Sequence, residues 1–187
     1  MWATPSCQRA LAETLEDRIL HSADLAPLLF GGAQAAELGH SQLLASTDTV
    51  TVSRSEIVFV NAGLPDFGAL LADLQAQQAR GRPIEIVTIG AGDDGLALIS
   101  RTLSGRSDIA ALHVLSHGSD GQLQLGALTL DASTLLARAG ELAAWGLALS
   151  ADADLLIYGC DFAQTESGQR LVQDLAALTG ADVAAST

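Results

Sequence analysis

From Glu56 onward, short apolar runs alternate with amphipathic stretches, and turn residues separate them. Glu56-Ile57-Val58-Phe59-Val60-Asn61 is β-branched and aromatic, and Ala62-Gly63-Leu64-Pro65 stops it, so it reads as a buried strand. Asp66 then stands as a helix cap, with Phe67, Leu70, Leu71 and Leu74 recurring on one helical face and Gly81 just past the end. The same grammar repeats. Residues 84–89 form a second strand, and a helix capped by Asp93 or Asp94 turns Leu96, Ile99 and Leu103 inward. Residues 111–116 form a third strand, followed by a small hairpin of 122–125 and 128–130 around Gly126-Ala127. Asp131 opens a helix running to about Trp145, and 154–158 is a fourth strand. A fourth helix over 165–179 ends at Gly180, and 181–186 reads as a fifth strand. Strands alternating with helices predict an α/β fold: a mostly parallel sheet with helices on both faces.

Before Glu56 the texture differs. Residues 1–30 hold a short helical-looking segment, and 31–55, opening on Gly31-Gly32, are small and polar without period and read as a linker. The α/β domain is therefore 56–187, and a strand running to the last residue implies a domain cut from a longer protein.

Composition sharpens this picture. The chain has 187 residues, 49% hydrophobic and 17% charged, with mean hydropathy +0.32, which implies a well-filled core. The formal charge is −13, from 22 acids against 9 bases, and every base is Arg. Nucleic acid is excluded as a partner because phosphate neutralisation needs a cationic face. An anionic membrane surface is disfavoured on the same ground, and no apolar run approaches the roughly 20 residues of a membrane span. Two cysteines, Cys7 and Cys160, are too few for a disulfide framework or a cysteine zinc site. Glu13, Glu16 and Asp17 interrupt the first twenty residues, so no Sec-type signal peptide is read there.

In such a sheet the loops at the carboxyl ends of the strands form the working edge. The third strand ends in Ser116-His117-Gly118-Ser119 and the fourth in Tyr158-Gly159-Cys160-Asp161, so an imidazole and a thiol stand at equivalent ends, 43 positions apart. An imidazole beside a thiol takes its proton and yields the nucleophilic thiolate. The N–H groups of Gly118 and Cys160 would form an oxyanion hole. Taken singly, a cysteine at a strand end is commonly a small buried hydrophobe and a histidine near a core is structural. His113 fits that plainer role, as a sheet-face histidine. Gly90-Ala91-Gly92-Asp93-Asp94-Gly95 lacks the third glycine of a dinucleotide loop in the required place, and Asp152 with Asp154 makes no calcium loop. Neither a cofactor nor a metal site is read.

These residues also carry a family resemblance. Strand-His-Gly followed by strand-Gly-Cys is similar to the signature of the caspase-like cysteine peptidases (caspases, gingipains, legumains, separases). More closely, four stretches resemble an uncharacterised bacterial domain near the N-termini of giant secreted repeat proteins and adhesins. They are Phe59-Val60-Asn61-Ala62-Gly63, residues 113–119, residues 155–161 and residues 178–187. Leu15-Glu16-Asp17-Arg18 and the residues to Asp24 resemble the Leu-Glu-Pro-Arg-type segment that opens such proteins, with Asp17 where Pro is usual.

The resemblance implies a caspase-like three-layer sandwich, with His117 as general base, Cys160 as nucleophile and the Gly118 amide in the oxyanion hole. It implies a polypeptide substrate, the chain's own polypeptide included, with Arg18 marking a processing segment. Asn61, Asp93, Ser116, Asp120, Tyr158 and Asp161 are the expected pocket residues. Tyr158 stands where several relatives carry an acid for a basic P1 side chain, so Arg preference has no support there. Export by a route other than an N-terminal Sec signal, to the outside or surface of a Gram-negative bacterium, follows from the same resemblance, as do downstream repeats in the same polypeptide. The competing reading is a non-catalytic secretion, retention or adhesion scaffold of the same protein. A nucleotide-binding flavodoxin-like domain is a third, for which 62–66 makes a poor phosphate loop.

Overall fold

The structure is a computed structural model that describes residues 54–187. The 1–30 segment with Cys7 and Arg18, and the linker reading up to residue 53, lie outside the described residues.

Five parallel strands form the main sheet: β1 (Ser55–Asn61), β2 (Ile84–Ile89), β3 (Ile109–Leu115), β7 (Leu149–Tyr158) and β8 (Asp182–Ala185), in the order β2-β1-β3-β7-β8. Alternation along β1 assigns its residues to opposite faces. Ile57 and Phe59 join the large core beneath α2 (Gly95–Leu103), α4 (Ala139–Trp145) and α5 (Glu166–Thr179), whereas Val58 and Val60 pack with Leu74 of α1 (Phe67–Ala79). Helices therefore cover both faces, as the alternation of elements predicts. A second, antiparallel sheet of β4 (Gly118–Ser119), β5 (Gln122–Leu125) and β6 (Leu128–Leu130) adds Leu123, Leu125 and Leu130 to the large core.

Local chemistry departs from the sequence reading at three points and decides between its alternatives at a fourth. Asp66 precedes α1 in a left-handed conformation (φ 58°), and its side chain makes no cap bond. Of the two cap candidates for α2, Asp94 serves: it accepts from Ala97 N–H at 3.0 Å, while Asp93 turns back to Gly90 N–H at 2.8 Å. The single helix expected from Asp131 to Trp145 bends at Arg138 (φ −111°) into α3 (Ala132–Ala137) and α4. Arg138 N–H donates to Thr134 O to close α3, and Arg138 O accepts from Glu141 and Leu142 to open α4, so one residue ends one helix and starts the next. Finally, β7 begins at Leu149 rather than near 154, because Ile109 pairs with Leu149 and Ala111 with Asp154. The irregularity absorbs a polar stretch that carries no strand signature.

The order β2-β1-β3 places the reversal of strand order at β1 and β3. The crevice outside the carboxyl ends of such strands is where open α/β sheets hold ligands. The residues of interest lie there and one strand further along.

Candidate active site

β3 and β7 are neighbours, with Leu115 opposite Tyr158, and Ser116 N–H donates to Tyr158 O at 3.0 Å to extend the pairing. His117 and Cys160 each stand two residues beyond the Leu115–Tyr158 position, so they leave adjacent strands at the same height. Both are exposed. Paired strands ordinarily run about 4.8 Å apart, but here the backbones close in. A Cβ on Gly118 would lie 2.9 Å from Gly159 Cα and 3.1 Å from Cys160 O, and a Cβ on Gly159 3.1 Å from Gly118 Cα. Any side chain at either position would push the strand ends apart. That is why the sequence carries glycine beside both the imidazole and the thiol.

The imidazole is oriented from the other side. Nε2 of His117 lies 3.0 Å from Gly63 O in the turn after β1. A carbonyl only accepts, so Nε2 carries the proton, and in the neutral ring Nδ1 is then the basic nitrogen. The turn that supplies this carbonyl is itself pinned. Asn61 Oδ1 accepts from Gly63 N–H at 2.9 Å, and Asn61 Nδ2 donates to Ser116 Oγ and to Gln124 O, both at 2.9 Å. Ser116 Oγ also donates to Gln124 O. Asn61 and Ser116 are buried, so these bonds form out of water and hold the ends of β1, β3 and β5 as one unit.

Gly118 also keeps its amide clear of the hairpin. Gln124 N–H donates to His117 O at 2.9 Å, and bonded and non-bonded pairs alternate along an antiparallel ladder. Gly118, opposite Leu123, therefore sits at a non-bonded position with its N–H turned away from β5.

The segment after Cys160 is stapled to the segment after His117. Asp161 takes a left-handed turn (φ 53°), a conformation Asp tolerates, and Phe162 plunges into the core fully buried. Phe162 O accepts from Gly121 N–H at 3.1 Å, and Ala163 N–H donates to Ser186 O at 3.0 Å. Gly168 packs against Phe162 O with no space for a Cβ. Asp120 Oδ1 accepts from the hydroxyls of Ser167, at 3.0 Å, and Thr165.

The six expected pocket residues thus do not converge on one cavity. Asn61 and Ser116 are buried ties, Asp93 closes its own turn, and Asp120 is a loop staple. Asp161 is exposed beside Cys160. Tyr158 lies on the sheet face, its ring stacked on His113 with centroids 6.1 Å apart, and burial pushes its phenol pKa up. What does open beside the imidazole is a cleft of about 190 Å³ lined by His117, Gly118, Ser119, Gln122, Gln124 and Thr129. The sequence reading missed Gly63 and Gln124: both act through backbone carbonyls, which no residue type advertises. Among the described residues no group of three or more His, Cys, Asp or Glu is placed to hold a metal ion, and no helix is long and apolar enough to cross a membrane.

Comparison with known proteins gives three findings. No curated protein sequence matches the chain. Among solved structures, that of pro-Sf-caspase-1 is similar at 15% identity and a TM-score of 0.38, over 57% of this chain and 45% of that one. The chain thus spans less than half the length of that caspase precursor. Residues 57–187, from the third residue of β1 to the end, match the family described as "Domain of unknown function (DUF4347)", and the chain belongs to that family.

Proposed function

We propose that this domain is a cysteine peptidase-like hydrolase in which His117 activates Cys160, standing at the head of a large secreted or surface repeat protein and acting on polypeptide, its own chain included. One observation carries the reading: the His117-Gly118 and Gly159-Cys160 strand ends meet in register, with two glycines admitting the contact. Nδ1 of His117 takes the Cys160 thiol proton, and the thiolate attacks a peptide carbonyl carbon. The resulting oxyanion is met by the N–H groups of Gly118 and Cys160. His117 returns the proton to the departing amine, leaving an acyl group on Cys160 as a thioester. Water, deprotonated by the same imidazole, then releases the carboxylic acid and restores the thiol.

The rate of Cys160 alkylation by iodoacetamide as a function of pH tests the pair. We expect a rate at pH 6–7 above that of an ordinary thiol of pKa about 8.5, lost in His117→Ala. Incubation of the chain with and without Cys160→Ala, followed by intact-mass measurement, reads self-processing. A slow, His117-independent thiol overturns the proposal and returns the domain to a non-catalytic scaffold.

A further inference from the structure

The cleft beside His117 has walls of one chemical kind. Ser119, Gln122, Gln124 and Thr129 are all uncharged and polar, in a chain whose net charge is −13. The carboxylates nearest in sequence are committed elsewhere: Asp120 accepts from Thr165 and Ser167, and Asp131 from Ser133 Oγ and Thr134 N–H. Among the described residues no carboxylate lines the cleft to neutralise a basic side chain, and no Arg lines it to receive an acidic one.

Its floor is also set. The Gln124 carboxamide donates to Gly126 O at 2.6 Å and to Leu128 O at 3.3 Å, and accepts from Thr129 Oγ1 at 3.0 Å. Gln124 therefore shapes the cleft rather than offering bonds to a ligand. Ser119 and Gln122 remain, paired opposite one another across β4 and β5 and both exposed. A hydroxyl and a carboxamide together offer donors and acceptors that match another carboxamide or hydroxyl. Gly118 belongs both to this cleft and to the contact with Gly159 and Cys160, so the cleft opens where the two strand ends meet.

We infer that this cleft is the side-chain subsite of the proposed peptidase, and that it selects an uncharged hydrogen-bonding residue, Asn or Gln above Ser, over Arg, Lys, Asp or Glu. The inference rests on the His117–Cys160 reading and adds its substrate class. A charged side chain would enter a site with no counter-ion and shed water without recompense. A carboxamide exchanges its water bonds for those of Gln122 and Ser119.

The test uses blocked tripeptidyl acyloxymethyl ketones that differ only in the final residue, Asn, Gln, Ser, Ala, Arg or Asp, with labelling of Cys160 followed by intact mass. The Asn and Gln probes are expected to label about 10-fold faster than the Arg and Asp probes, the scale of one or two net hydrogen bonds. In Gln122→Ala the Asn probe falls to the rate of the Ala probe, and in Gln122→Glu the Arg probe overtakes it. Labelling of Cys160 that depends on His117 but is fastest with Arg or Asp, or indifferent to both Gln122 substitutions, overturns the subsite and leaves the dyad standing. Absence of labelling by every probe overturns both.

Discussion

The layer between the sheet and α2, α4 and α5 is filled by side chains, whereas the meeting of β3 and β7 beyond their last paired residues is filled by backbone. In the first region Phe59, Leu112, Leu155 and Phe162 are at most 1% exposed, and their methylenes and rings supply the contact. In the second, Gly118 and Gly159 approach so closely that a single added methyl has no place. The first tolerates gain poorly and loss by degrees. The second depends on having nothing there to lose. Phe162 joins the two, since its ring lies in the core while its carbonyl holds Gly121 in the loop after His117. The thiol is thus presented by a loop anchored in the core two residues on.

Phe59→Ala breaks the first region with the largest effect. It removes a fully buried ring and is expected to cost about 3–5 kcal/mol in denaturant unfolding. The alkylation rate of Cys160 in the folded fraction should hardly change, because Phe59 contributes nothing to the strand-end contact. Gly118→Ala inverts that pattern: overpacking costs about 1–3 kcal/mol, and the His117-dependent reactivity of Cys160 falls by about 10-fold or more. Gly140→Ala in α4 is the matched control. A Cβ there meets nothing within 4 Å, and glycine inside a helix is worse than alanine by about 0.5–1 kcal/mol, so this change should stabilise. If Gly118→Ala leaves reactivity intact, the close approach does not govern the pair.

Much of this is legible in the sequence alone. The apolar runs of β1, β2 and β3, the helices with clear stripes, and the placing of His117 and Cys160 at matching strand ends follow from side-chain period and turn residues, which one sequence displays. Four things were hidden, each for a physical reason. The early part of β7 contains Ser150, Asp152 and Asp154, polar residues that an irregular register carries along the sheet. The bend at Arg138 is confined to one residue between two helices and leaves no trace in hydrophobic period. An acid at a rim reads the same in the sequence whether it meets a ligand or a neighbour, and here Asp93 bonds Gly90 in its own turn while Asp120 bonds Thr165 and Ser167 across the site. The orientation of His117 relies on Gly63 O, and backbone acceptors are invisible to any reading of residue types.

Asn61 lies between the two regions, a buried side chain whose work is done at the edge. Asn61→Ala strips Gly63 N–H of its acceptor and removes one donor each from Ser116 Oγ and Gln124 O. Loss of these three bonds is expected to cost about 1–3 kcal/mol, although Ser116 Oγ and Gln124 O keep their bond to each other. The sharper readout is the pH profile of Cys160 alkylation. With the 61–63 turn loosened, Gly63 O no longer fixes the imidazole, and the profile should shift toward that of His117→Ala. Equal loss of stability with an unmoved profile would assign Asn61 to packing alone.

The smallest effect concerns the α1-side face of the sheet, whose neighbours differ from both regions by being charged. Glu56 Oε2 accepts from His113 Nε2 at 3.2 Å and from Arg82 at 2.7 Å, with Tyr158 stacked on the imidazole. The bond from His113, reinforced by Arg82, holds the Glu56 carboxyl below its ordinary range despite partial burial. A depressed carboxyl stabilises the fold at pH values above the unfolded-state pKa, because the unfolded chain binds the proton more readily. That contribution is complete above roughly pH 5 and disappears as pH falls through the lower, folded-state value. Glu56→Gln should therefore cost about 1 kcal/mol or less at pH 7, as partly exposed ion pairs do. The gap between the two proteins should hold from pH 7 to 5 and close below pH 4 in urea unfolding. A gap that persists unchanged to pH 3 would mean that Glu56 contributes by packing against β3 rather than by its charge.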